Sequence, residues 1–168
     1  DVPETAAAIA TRAARIGKAQ LKAQKDKIWK DFWEKSYIEL WGNEDARLVE
    51  THYQYFMYVM GVCSKNGKYP PNYGGMLFLT RGDPRLWGAM QWWNNLSLYY
   101  NPIMASGHYE LVMPYFSMYN LMRDRLETYA RQQWDSEGLF IPETMGFDGP
   151  EVLEDDLAAE MSDLMLER

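Results

Sequence analysis

Cysteine occurs once, at Cys63, so no disulfide can form within the chain and the redox compartment cannot be read from it. Histidine occurs twice, at His52 and His108, with no second histidine or cysteine at ligand spacing near either. No metal site, and no cofactor of any kind, is therefore expected. Long hydrophobic runs are missing too: none approaches the roughly 20 residues that a membrane-spanning helix needs. "GGMLFLTRGD" (74–83) lacks the Gly-Lys-Ser/Thr ending of a phosphate loop, and no Ser–His or Cys–His arrangement is visible. There is no basic excess beside the aromatic residues, and the formal charge of −7 makes nucleic acid a poor partner. The first residues, "DVPETAAAIA", have no initiator methionine, no charged leader and no long apolar stretch, and read as part of a longer chain.

What the chain does have is aromatic. Twelve Tyr, seven Trp and six Phe make up 15% of 168 residues. Aromatic rings with polar tips suit surfaces that must be apolar and hydrogen-bonding at once, such as a binding cleft or an interface. A large aromatic core accounts for the composition equally well. Charge is unevenly spread: residues 1–36 carry +3, residues 37–134 balance, and residues 135–168 carry −10.

Hydrophobic spacing predicts an all-α chain with long loops, read as a single domain over 1–168. The first helix is expected over 4–34, with Trp29, Phe32 and Trp33 at i, i+3, i+4 as an anchor buried against the next helix. Gly42-Asn43 reads as a turn with Asn43 as N-cap, opening a helix over 44–64. Breakers crowd "SKNGKYPPNYGG", after which "MLFLT" (76–80) is the one strand-like stretch. A third helix is expected from Pro84 or Trp87 to Ala105. A fourth covers 109–134 with a kink or restart at Pro114. A last one opens at Pro150, with Val152, Leu153, Leu157, Met161, Leu164 and Met165 facing inward.

Two constellations could carry chemistry. On a continuous helix, Gln91, Asn95 and Tyr99 share a face, with Trp92 and Leu98 beside them. Amides next to flat rings suit a sugar, whose hydroxyls want polar partners and whose C–H faces want aromatics. A core helix whose Asn side chains pin loop carbonyls fits the same residues. The second is "GLFIPETMGF" (138–147), where Glu143 sits among Leu139, Phe140, Ile141, Met145 and Phe147. Enclosure by such residues would disfavour the carboxylate and suit a general acid. A solvent-facing loop glutamate is the plainer alternative.

Four segments taken in order, "WKDFWEKSYIEL" (29–40), "YPPNYGGMLF" (69–78), "LWGAMQWWNNLSLYYNPIMASGHYEL" (86–111) and "GLFIPETMGF" (138–147), resemble the catalytic (α/α)6 barrel of the glycoside hydrolase family 95-like enzymes, which include α-L-fucosidases. The resemblance spans residues 28–148. It implies that Glu143, in its Pro-Glu dipeptide, is the general acid. Asn95 matches the second Asn of a family run, "N-x-N-L-x-M-N-Y-W", whose asparagines bind substrate and orient the attacking water. The first Asn of that run falls on Trp93, with Asn94 beside it. Trp87, Gln91, Trp92, Asn94 and Tyr100 are the expected substrate-binding residues, and carbohydrate the expected partner. The resemblance also implies inversion at the anomeric carbon and a secreted or periplasmic enzyme. A complete barrel needs about twelve helices, so about five or six make a half toroid. Such a half is expected to be inactive alone, and to self-associate or pair with the missing half. The competing reading is a non-catalytic helical module that binds a glycan or a partner protein.

Overall fold

The computed structural model describes residues 2–64 and 90–165. These residues are predominantly helical, with seven α-helices and one two-stranded ribbon among them. The all-α expectation holds for this part of the chain. "MLFLT" and Trp87 lie outside the described residues. The chain falls into two compact units, residues 1–39 and 40–168.

The first unit is two helices, α1 (Val2–Ile16) and α2 (Lys18–Lys35), where the sequence predicted one. Gly17 separates them with φ 82° and ψ 153°, a backbone conformation that glycine adopts without a side-chain penalty. α2 buries no residue completely. Its solvent side is a ladder of i, i+4 pairs: Lys22–Asp26, Lys27–Asp31 and Lys30–Glu34. Trp29, Phe32 and Trp33 are only half-buried and pack on one another. Phe32 meets both indoles edge-on, with ring centroids 5.3 Å from Trp29 and 5.1 Å from Trp33.

The second unit opens with α3 (Glu44–Cys63), capped as the sequence indicates: Asn43 Oδ1 accepts from the Ala46 amide at 3.3 Å. The next described element is extended rather than helical. β1 (Gln91–Trp92) precedes α4 (Trp93–Ala105), so the helix expected from residue 84 or 87 reaches back only to Trp93. A 3-10 turn (Tyr109–Leu111) leads to α5 (Met113–Leu121), with Pro114 in its first turn, where a missing amide costs no helical hydrogen bond. Then α6 (Arg123–Trp134) follows after a break at Met122, whose ψ of 3° opens the helical turn. The fourth helix is thus two helices. Its buried stripe nevertheless runs on through the break as Met118, Met122, Leu126 and Ala130.

The core of this unit is assembled from that stripe, Met57 and Met60 of α3, and Leu96, Tyr100 and Ile103 of α4. Each set repeats every three or four residues, the spacing of one helical face. β2 (Thr144–Met145) pairs antiparallel with β1, Gln91 opposite Met145 and Trp92 opposite Thr144. Finally α7 (Asp155–Met165) begins five residues after Pro150, the start that the sequence suggested, and packs on α6. Its inward residue is Ala158, while Leu157 and Leu164 are exposed, against expectation. The link between the two helices is pinned by the Gln132 amide, which donates to Leu153 O at 2.9 Å and accepts from Leu153 N at 3.1 Å.

Candidate functional site

Helix α4 starts without a side-chain cap, so its first amides need partners from elsewhere. The Trp93 amide finds one 50 positions downstream, donating to the Glu143 carbonyl at 2.9 Å. With the β1–β2 pairing, this fixes the Pro142-Glu143 dipeptide against the start of α4. Residues far apart in the chain, Glu143 on one side and Trp92, Asn94 and Asn95 on the other, thereby share one locale. Trp92 and Asn95 are half-buried, and Asn94 and Glu143 are exposed. The apolar enclosure expected around Glu143 is therefore absent. The Glu143 carbonyl is held by the Trp93 amide while the residue itself is exposed.

Two expected members of the set are buried in the core instead. Gln91 is fully enclosed and lies on β1, so the helical face of Gln91, Asn95 and Tyr99 does not exist; the helix begins two residues too late. Tyr100 is also core, 3% exposed. Its hydroxyl lies 2.9 Å from Ser64 Oγ, and Ser64 donates its own proton to Leu111 O at 2.7 Å, which leaves Tyr100 as the donor in the first bond. Its ring lies against Tyr115 at 4.8 Å. Burial pushes the Tyr100 phenol up to about 12. A group so occupied is not offered to a ligand.

The tyrosine cluster continues beyond what the sequence suggested. Tyr115 and Tyr119, one turn apart on α5, meet edge-on at 5.0 Å. Burial raises both phenols, and for Tyr119 the charges of Tyr115 and Glu143 act in the same direction. Tyr119 therefore lies within electrostatic range of the Glu143 carboxylate. Its i, i+4 relation to Tyr115 was the available signal.

A cavity of about 510 Å³ lies along the ribbon and α6, and Glu143 itself does not line it. Pro142 and Thr144, the two neighbours of Glu143, line it together with Met90, Arg125, Tyr129, Asp148 and Glu151. Its floor is the turn Gly146–Gly149, in which Gly149 N donates to Gly146 O at 3.2 Å. Gly149 has φ 107°, and a β-carbon there would press on Arg125 Cδ at 3.4 Å. Arg125 clamps this turn, donating to Asp148 Oδ2 at 2.9 Å. A second cavity of about 420 Å³ lies between α6 and α7, edged by Arg131, Asp135, Asp155 and Asp163.

The histidines serve locally. His52 Nδ1 donates to Leu48 O at 2.8 Å, and the enclosed His108 faces Glu110 at 3.3 Å. No group of three or more His, Cys, Asp or Glu suited to a metal ion occurs among the described residues. No helix of the described residues is long and apolar enough to cross a membrane. Compared with protein-family models, curated proteins and solved structures, the chain finds no match in any of the three.

Proposed function

We propose that this chain is half of an (α/α)6 barrel of the glycoside hydrolase type, acting on carbohydrate. Glu143 protonates the glycosidic oxygen, and a water held in part by Asn95 attacks the anomeric carbon from the opposite face. The single observation that supports this reading is the Trp93–Glu143 backbone bond. It brings an acid to the start of the helix that carries the Trp and Asn side chains, as cleavage of a bound sugar requires. Trp92 and Asn94 complete the sugar-binding surface, the indole for C–H faces and the amides for hydroxyls. In an inverting enzyme the acid and the base lie roughly 6.5–9.5 Å apart to admit the water. The missing half of the barrel would carry the base. For such an enzyme the resemblance implies a secreted or periplasmic compartment.

The exposure of Glu143 favours a second reading, a helical module that binds glycan through this face without cleaving it. One substitution separates the two. In the complete barrel, Glu143→Gln lowers kcat on oligosaccharides by about a hundredfold or more while sugar affinity stays near wild type. Aryl glycosides with good leaving groups need less protonation and lose less. Wild-type turnover in that variant sinks the acid assignment. Binding without turnover in the unmutated protein, lost in Trp92→Ala, selects the module.

A further inference from the structure

We propose that α1 of one copy docks antiparallel on the outward face of α7 of a second copy, joining two chains through helix faces of opposite charge. The starting point is that α7 does not bury its apolar stripe. It meets α6 through Ala158, while Leu157 and Leu164 stand outward, 47% and 73% exposed. With half-buried Met161 they repeat at i, i+4 and i+7, an apolar seam along one side of the helix. Glu160 borders that seam, and Asp163 lies one step farther round on the same flank; both are exposed. A seam so bordered asks for an apolar stripe with cations beside it.

α1 carries the counterpart in the same register. Ile9, Ala13 and Ile16 repeat at i, i+4 and i+7, Ile9 exposed and the other two half-buried. Counted from the first residue of each seam, Arg12 and Arg15 stand where α7 has Glu160 and Asp163. Both arginines are exposed. Among the described residues none of these four charges is held in an ion pair, whereas Lys22, Lys27 and Lys30 of α2 already hold acids on their own helix. When two such helices pack antiparallel, the same flank of each comes together, so the arginines meet the carboxylates. Pairing α1 with α1, or α7 with α7, would set like charges side by side. The match therefore selects the other helix. It extends along the chain, residues 1–36 carrying +3 and residues 135–168 carrying −10. Every copy presents both faces, which makes a second copy the occupant. The faces are about three turns long, so the contact is weak and sensitive to salt.

The test is charge exchange in the full chain, read by sedimentation. Arg12→Glu with Arg15→Glu reverses one face, and Glu160→Lys with Asp163→Lys reverses the other. Each variant alone is expected to self-associate roughly tenfold or more weakly, with helix content unchanged by circular dichroism. Mixed one to one, the two variants should associate with each other at the wild-type level. Contacts through other faces would neither fall in the single variants nor return on mixing. Leu157→Ser with Leu164→Ser keeps every charge, removes the seam, and should also lose the association. Full self-association in any of the three variants, or no recovery on mixing, overturns the proposal. So does a wild-type chain that stays monomeric at every concentration. Phosphatidylserine vesicles bound by wild type and lost only in the arginine variant, with self-association unchanged, overturn it in favour of a lipid surface.

Discussion

Tyr100 carries a phenol where phenylalanine would fill the same space, and the reason is Ser64, 36 positions earlier. The expected cost of Tyr100→Phe is about 1 kcal/mol, the net worth of one buried hydrogen bond, measured by urea unfolding. The pH dependence has a definite sign. Ordinary tyrosine ionises near 10, and burial holds Tyr100 up to about 12. Between those values the folded protein keeps a proton that the unfolded chain releases. The stabilisation is complete below about pH 10 and is lost as pH rises towards about 12. Melting temperatures across that window should fall less steeply in Tyr100→Phe than in wild type, an equal slope being the contrary result. This residue also marks what was legible. An aromatic and amide run at helical spacing has the same letters whether it walls a cleft or fills a core. Which residues did which depended on partners that no local window contains. Glu143 and Asn95 were legible as candidates, and the structure brings their segments together. Gln91 entered the same set through a helical face that the ribbon at 91–92 removes, and Tyr100 through its place in the same run.

Elements whose ends are local were readable. Asn43 caps α3 through a bond spanning three residues, and Gly42 precedes it as a turn residue, so the boundary is written in four letters. Asn43→Ala should cost about 1 kcal/mol of stability, and Asn43→Asp, which keeps an acceptor at the helix start, should restore most of it. No change on thermal unfolding would mean that α3 is held by its buried methionines alone. Elements whose ends depend on distant partners were not readable. α4 begins at Trp93 because β2 claims the two residues before it. The break at Met122 has no breaker residue at all, and methionine is a good helix former. Gly17 shows the opposite ambiguity. A glycine inside a helical pattern is tolerated at roughly 1 kcal/mol, so the letter alone does not say whether the chain turns there.

On the scale of the whole molecule, the second unit leaves many large apolar side chains in water. Trp41, Tyr55, Leu98, Phe116, Leu121 and Leu164 are all exposed. Single exposed residues are ordinary, but so many in one unit favour association. Sedimentation should show mass rising with protein concentration, and the double substitution Phe116→Lys, Leu121→Glu should reduce it. A monomer at every concentration would contradict this. The sequence supplied the apolar content but not its distribution, because exposure is fixed only when helices choose their neighbours. The joint between Trp93 and Glu143 has a further consequence, for how such a chain can change over generations. It is made from peptide groups, which almost every residue supplies. Replacing the side chain at position 143 leaves the joint standing, and so does replacing either indole. Only a proline at position 93 would remove the donor. The locale can therefore exchange its chemistry by single substitutions, acid for amide or hydroxyl, while its geometry is inherited intact.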